Sequence, residues 1–304
     1  MSQLVVIGSS NTDMIVQVPR IPLPGETILG GQIQTAPGGK GANQAVAAAR
    51  AGADVSLIAC VGDDGFGREA LAGFATDGID CEHVVIDPTA PSGVAQIFVA
   101  ANGENSIGVA PGANACLTSA DIERAASAIA TADMILLQLE IPLETVMRAV
   151  EIGSAADCRV ILNPAPAQEL PMELYPLLSI ISPNETEAEF LTGISVKDES
   201  SAADAGASLR DRGVDTVLIT LGEAGVFLST ETSSEIVPGY VVDAVDTTAA
   251  GDVFNGNLAA ALCRELQLED AVVYAQAAAA LSVQCLGAQP SAPTRSAIDT
   301  FLTA

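Results

Sequence analysis

The sequence predicts an α/β protein: a three-layer αβα sandwich with a mainly parallel central sheet, plus a small protruding β-sheet. Two observations lead there. Short apolar runs of strand length alternate with longer stretches of helical pattern, which implies a parallel sheet covered on both faces. Two segments, about 14–36 and 92–110, break that rhythm with alternating apolar positions such as Gln96-Ile97-Phe98-Val99, bounded by glycines and turn residues. These read as antiparallel strands outside the parallel series. The chain, 1–304, is read as one domain, since no repeat, low-complexity tract or long linker interrupts it.

Taken in order, the first strand is expected at 4–8, an apolar run ending in glycine. Asn11 and Asp13 follow at its end, where an Asx turn or a ligand contact suits them. The glycine-rich turn around Gly38-Gly39-Lys40-Gly41 leads into a helix over about 43–50. Further buried strands are expected at 55–61, 134–139, 160–163, 180–182 and 216–221, and helices at 67–77, 143–155, 185–191 and 202–212. Late in the chain, 249–264 and 270–283 are alanine-rich helices.

Composition narrows the function. Twelve basic residues stand against 38 acidic ones, a net charge of −26, with lysine only at positions 40 and 197. No nucleic-acid partner bound through a basic surface is expected. An anionic nucleotide needs local help here from a cation, a helix N-terminus or both. The apolar runs are too short for a membrane span and the start lacks a basic n-region, so a cytoplasmic location is expected. The six cysteines are scattered with no C-x-x-C pair and read as buried reduced thiols. A Ser-His-Asp hydrolase would have to use the single histidine, His83, yet no G-x-S-x-G elbow occurs. No G-x-G-x-x-G follows the first strand, which disfavours a Rossmann dehydrogenase.

The most informative stretch is Asp246-Thr247-Thr248-Ala249-Ala250-Gly251-Asp252. Small residues let backbone N–H groups approach an anion, and the helix that follows adds about half a positive charge at its start. Asp252 beside that anion hole suits a base that accepts a proton from an attacking hydroxyl. For the segment alone, a helix opening at a capping aspartate stays open. The turn at 36–43 is no P-loop, because Lys40 is followed by Gly41. Asn184 and Glu187 form an N-x-x-E pattern at a helix start, which fits either a capped first turn or Mg²⁺ organised through water.

In this order and separation the motifs resemble the ribokinase family of carbohydrate kinases, nearly end to end. The resemblance is carried by Gly8-Ser9-Ser10-Asn11-Thr12-Asp13, Pro24-Gly25-Glu26-Thr27, Gly38 through Ala45 and Gly62-Asp63-Asp64. It continues through Gln138-Leu139-Glu140, Asn163-Pro164-Ala165-Pro166, Pro183 through Glu187, Thr220-Leu221-Gly222, the Asp246–Asp252 stretch and Gly287-Ala288-Gln289-Pro290-Ser291.

The resemblance implies a role for each position. Asp252 is the expected base, with the peptide amides of Ala249, Ala250 and Gly251 as the anion hole. Sugar contacts are expected from Asn11, Thr12, Asp13, Gly39, Lys40, Gly41, Ala42, Asn43, Glu140 and Asp252. ATP contacts are expected from Asn184, Thr220, Leu221, Gly222, Glu223, Ala224, Gly225, Gly251 and Gln276. The charge on Glu223 beside a phosphate region has no explanation in the sequence. Mg²⁺ is expected at Asn184 and Glu187 through water, and K⁺ near Asp246, Thr248, Ser282, Cys285, Gly287 and Ser291, mostly on carbonyls.

The small sheet is expected to be a lid over the sugar that packs on a second lid in a homodimer. The implied reaction is phosphorylation of D-ribose at its 5-hydroxyl by ATP. Kinases of deoxyribose or adenosine remain alternatives, as does a non-catalytic sugar-binding protein, which the pairing of Asp252 with its anion hole argues against.

Overall fold

The computed structural model describes residues 3–102 and 104–303. β1 (Gln3–Ile7) explains why its sequence is one unbroken apolar run. Leu4 and Val6 enter the core on one face of the sheet, while Val5 and Ile7 enter it on the other. Side chains alternate along a strand, so a strand covered on both faces must be apolar throughout. Each such Leu, Ile or Val, removed from water, contributes roughly 1.5–3 kcal/mol.

After β1 come β2 (Asn11–Val18), β3 (Ile33–Gly38), α1 (Lys40–Arg50), β4 (Asp54–Gly62), α2 (Gly65–Thr76), β5 (Val84–Asp87), β6 (Gly93–Ala100) and β7 (Asn105–Ala110). The middle of the chain adds α3 (Ser119–Arg124), α4 (Ala126–Thr131), β8 (Met134–Leu137), α5 (Leu143–Ala155), β9 (Arg159–Leu162), β10 (Ile180–Ile181), α6 (Glu185–Thr192) and α7 (Glu199–Arg210). It ends with β11 (Thr216–Thr220), β12 (Gly225–Ser229), β13 (Ser234–Pro238), α8 (Ala250–Cys263), α9 (Leu268–Ser282) and α10 (Arg295–Leu302).

The main sheet has nine strands in the order β13-β12-β11-β10-β9-β8-β1-β4-β5. From β11 to β5 every pairing is parallel; β12 and β13 join antiparallel at one edge. One face carries residues of α1, α2, α8, α9 and α10, and the other residues of α3 to α7, which makes the three layers. α8 and α9 are alanine-rich and buried on nearly every side, because small side chains let α8 pack closely on both α1 and α9.

The second sheet is separate, in the order β3-β2-β6-β7, and it is mixed where antiparallel strands were expected: β2–β3 and β6–β7 are antiparallel, but β2 and β6, which come from the two distant segments, pair in parallel. It begins at Asn11 and reaches Gly38, wider than the expected 14–36, while its other half follows the expected 92–110 closely. The hairpin β12–β13, strand β5 and helices α3, α4 and α10 lie outside the sequence expectation. α3 and α4 are six residues each, too short to display a helical period. All six cysteines are free, but only Cys60 and Cys158 are buried and Cys285 is exposed. Among the described residues no helix is long and apolar enough to cross a membrane.

Candidate active site

α8 opens at Ala250, and Ala249 before it takes a left-handed φ of 60°. That conformation costs a residue with a Cβ roughly 1–2 kcal/mol, and such strain concentrates at functional sites. Here it sits at the expected anion hole. The amides of Gly251 and Asp252 belong to the first helical turn and have no intrahelical acceptor. The amide of Ala250 reaches the carbonyl of Thr247 only at 3.3 Å.

Asp252 lies in that first turn, 5% exposed. Asn43 Nδ2 donates to its Oδ2 and Gln44 Nε2 to its Oδ1, each at 2.9 Å. The carboxylate therefore rests against the helix that leaves the glycine turn. Gly39 makes that turn possible: its φ is 89°, and a Cβ there would fall 2.6 Å from the backbone nitrogen of Asn11.

The same turn meets the root of the small sheet, where Asn11 pairs with Gly38 in the β2–β3 register. Asn11 and Asp13 are thus early residues of β2, and not the end of the first strand as the sequence reading had them. The pleat puts both on one buried face and turns Thr12 to the other. Glu140, past the end of β8, completes the group. Its Oε2 accepts the Ser9 hydroxyl at 2.6 Å and the Lys40 amide at 3.0 Å. The amides of Gly41 and Ala42 are likewise taken up by Ser9. Asn43 Oδ1 is buried with no partner among the described residues, an acceptor available to a hydroxyl.

Three acids converge here, and two of them, Asp13 and Asp252, are raised. Burial, then Glu140, then Asp252 push the Asp13 carboxyl up to about 6. Burial also pushes Asp252 up, partly offset by Lys40 and by the Asn43 and Gln44 donors. Asp252, against the opposing cost of burial, holds the Lys40 ammonium above its usual range. Glu187 is raised by burial, partly offset by the Asn184 amide and by Lys40.

On the far side of the α8 N-terminus lies a cavity of about 410 Å³. Thr220, Gly222, Glu223, Gly225, Gly251 and Gln276 line it, all expected nucleotide positions. Leu221 instead packs toward the core, and exposed Ala224 is absent from the lining. Gln276 is 7% exposed, and neither its Nε2 nor its Oε1 has a partner among the described residues. A buried amide left unpaired beside a cavity is a ready site for a ligand with both donors and acceptors. Ala250 and Gly251 line this cavity while their neighbour Asp252 faces α1, so one helical turn separates the two halves.

Asn184 adjoins this region: Thr220 donates its amide to the carbonyl of Pro183 at 3.0 Å. Asn184 and Glu187 form a reciprocal capping box at the start of α6, with bonds of 2.8 and 2.9 Å. Each keeps further polar atoms for a hydrated ion. Asp246 ties two remote loops together, accepting the amides of Thr248 at 2.9 Å and Gly287 at 2.8 Å. Burial opposes its charge, but these donors win and its carboxyl sits below the usual range. Ser282 and Cys285 share the turn that follows α9, and Ser291 lies in the short helix after Gly287. No cluster of three or more His, Cys, Asp or Glu side chains suited to a metal occurs among the described residues.

Sequence reasoning missed the supports of this site: Ser9, Gln44, Asn114, Gln138 and Asn163. Ser9, Gln44, Gln138 and Asn163 stand inside motifs already noted, and their burial as polar residues is the signal that would have found them. His83 lies in the turn before β5 and takes no part.

A family profile described as "pfkB family carbohydrate kinase" matches residues 1–295. The ribokinase of Haemophilus influenzae is 48% identical over 299 residues, 98% of this chain and 98% of that one. The deoxyribokinase of Salmonella typhi is 40% identical over 301 residues, 99% of this chain and 98% of that one. Among solved structures, Arabidopsis thaliana ribokinase complexed with ribose and ATP matches with a TM-score of 0.90 at 33% identity, covering 100% of this chain and 99% of that one.

Proposed function

The chain belongs to the pfkB family of carbohydrate kinases, and on that premise we propose that it transfers the terminal phosphoryl group of ATP to the 5-hydroxyl of D-ribose. The observation that carries this reading is the placement of Asp252. A buried carboxylate in the first turn of α8 is held by two donors from the helix behind the glycine turn. The unpaired N–H groups of the same turn border the 410 Å³ cavity. A base, an anion hole and a nucleotide-sized cavity thus meet at one helix end.

Asp252 takes the proton of the 5-hydroxyl as that oxygen attacks the γ-phosphorus in line. The bond to the bridging oxygen breaks, its electron pair leaves with ADP, and the new ester is D-ribose 5-phosphate. The amides of Ala249, Ala250 and Gly251 stabilise the charge that develops. Asn11, Asp13, Lys40, Asn43 and Glu140 hold the sugar hydroxyls, with the backbone of Gly39 closing the turn.

Mg²⁺ would be organised through water by Asn184 and Glu187, whose capping box leaves oxygens to spare, and would neutralise phosphate charge. K⁺ would be held by the loops that Asp246 joins, around Thr248, Ser282, Cys285, Gly287 and Ser291, and would order the anion hole. Carbonyl oxygens suit that ion.

The small sheet acts as a lid and pairs with that of a second copy. Its exposed Ile33, Ile107 and Val109 are apolar surface that such pairing covers. The expected setting is the cytoplasm.

The deoxyribokinase relative keeps a second substrate in view. Asn11 favours ribose, because a sugar lacking one hydroxyl leaves a buried polar group unpaired. The test is ADP release with ATP and a panel of ribose, 2-deoxyribose and adenosine. Ribose is expected to give the highest kcat/KM; preference for either of the others overturns the substrate, and silence with all three overturns the kinase reading.

A further inference from the structure

We propose that Gln44 is a positioning residue for this reaction: it aims and holds the Asp252 carboxylate through a closed loop of hydrogen bonds among buried side chains and two backbone carbonyls. The inference rests on the reading of Asp252 as the base. Gln44 lies on α1, next to Asn43, and is 0% exposed. Every polar atom of its amide is used. Nε2 donates to Asp252 Oδ1 at 2.9 Å and to Asn163 Oδ1 at 3.1 Å, and Oε1 accepts Gln138 Nε2 at 2.6 Å. The Asp252 carboxylate, which can only accept, turns the nitrogen end of the amide toward itself, and the bond from Gln138 takes up the oxygen end.

The chain then returns to its origin. Asn163, just past β9, donates to the carbonyl of Ser182 at 2.9 Å. The Ser182 hydroxyl bonds Asn255 Oδ1, and Asn255 Nδ2 donates to the carbonyl of Gly251 at 2.8 Å. Gly251 is the peptide neighbour of Asp252. The loop therefore links α1, the ends of β9 and β10, and the first turn of α8, the elements that must keep register for the base to meet the sugar.

Backbone packing holds this geometry. A Cβ on Gly256 would lie 2.4 Å from the carbonyl oxygen of Gln44 and 2.8 Å from Ala47 Cβ. Only glycine lets α8 come near enough to α1 for the short aspartate to reach Gln44. Asn43 also bonds Asp252, but its other amide end is unanchored. Gln44 is the donor tied into the scaffold. The charged groups that act on Asp252 are Lys40 from α1, Glu140 beyond β8, Asp13 from β2 and Glu187 from α6. Lys40 favours the carboxylate and the three acids oppose it, so loss of a neutral donor shifts a finely set balance toward the protonated form.

The test is kcat and KM across pH for wild type, Gln44→Met, Gln138→Leu and Asp252→Asn, each checked for folding by circular dichroism. Gln44→Met keeps the length and removes the donor. It is expected to lower kcat roughly 10- to 100-fold, to leave both KM values within about twofold, and to move the acid limb of kcat upward by about one pH unit. Gln138→Leu, which leaves Gln44 in place but frees its amide, moves the limb the same way by less. A folded Gln44→Met enzyme whose acid limb stays put, or whose kcat is unchanged, reduces Gln44 to packing and overturns the proposal. If Gln44→Met does not fold, Gln138→Leu carries the same test. Near wild-type turnover in Asp252→Asn instead removes the base itself. Loss of turnover there with an unmoved limb in Gln44→Met overturns the Gln44 inference alone.

Discussion

Asn114 donates through Nδ2 to Asn11 Oδ1 at 2.7 Å, across 103 positions of sequence. The same nitrogen reaches the carbonyl of Ser10 at 3.1 Å, and Asn114 Oδ1 accepts the Ser10 amide at 2.8 Å. Asn114 is 1% exposed and locked at both ends. Its bond consumes the oxygen end of the Asn11 amide and leaves the nitrogen end to donate toward the proposed sugar pocket.

Asn114→Ala frees that amide to rotate. The expected result is a ribose KM raised roughly tenfold with kcat little changed, and a smaller penalty for 2-deoxyribose, so that discrimination narrows. Steady-state kinetics with the two sugars reads this directly. An unchanged KM ratio removes Asn114 from substrate selection.

Asp252→Asn keeps the shape of the side chain and removes its basicity. kcat is expected to fall roughly 10²- to 10⁴-fold with sugar affinity largely kept. Isothermal titration with ribose beside turnover measurements separates the two quantities. Turnover near that of wild type contradicts the role given to Asp252.

Asp13 sets a pH dependence whose sign can be worked out. Its carboxyl is raised from 3.8 to about 6 in the folded protein, so the fold favours its neutral form. The stability this contributes is complete below pH 3.8 and is lost as pH rises through about 6. Sugar hydroxyls that donate to the charged form regain part of it, so the ribose KM is expected to fall as pH rises through about 6 and then level. Asp13→Asn is expected to weaken sugar binding yet stabilise the free protein at alkaline pH by roughly 2–3 kcal/mol, a gain absent in acid. Thermal unfolding at the two pH extremes checks it; equal gains at both contradict the assignment.

Gln276→Leu fills its space without offering a donor or an acceptor. The ATP KM is expected to rise roughly tenfold while the ribose KM stays in place. A shift in the ribose KM instead means that the cavity between the β11–β12 turn and α9 is not the nucleotide site.

Much of this was legible before any coordinates. The parallel strands were readable because burial on both faces forces each to be apolar, as in β1. The motif of the proposed anion hole was readable because Ala249, Ala250 and Gly251 are small where a helix begins. Glu223 was visible as an unexplained charge, and the structure leaves it at the exposed rim of the cavity with no partner among the described residues that explains it. The edge hairpin β12–β13 and the short helices α3 and α4 were not legible, since a few residues show no clear period.

By itself the sequence determined the layers, the buried parallel strands with their longer helices and the chemical types gathered for the site, because hydrophobic period and side-chain chemistry are local properties. Only the tertiary structure decided that Asn11 and Asp13 begin a strand of the small sheet, that Asn114 orients one and that Gln44 holds Asp252. Those facts depend on how closely two backbones approach and which end of an amide faces inward. Contacts between residues a hundred or two hundred positions apart settle both, and no local pattern records them.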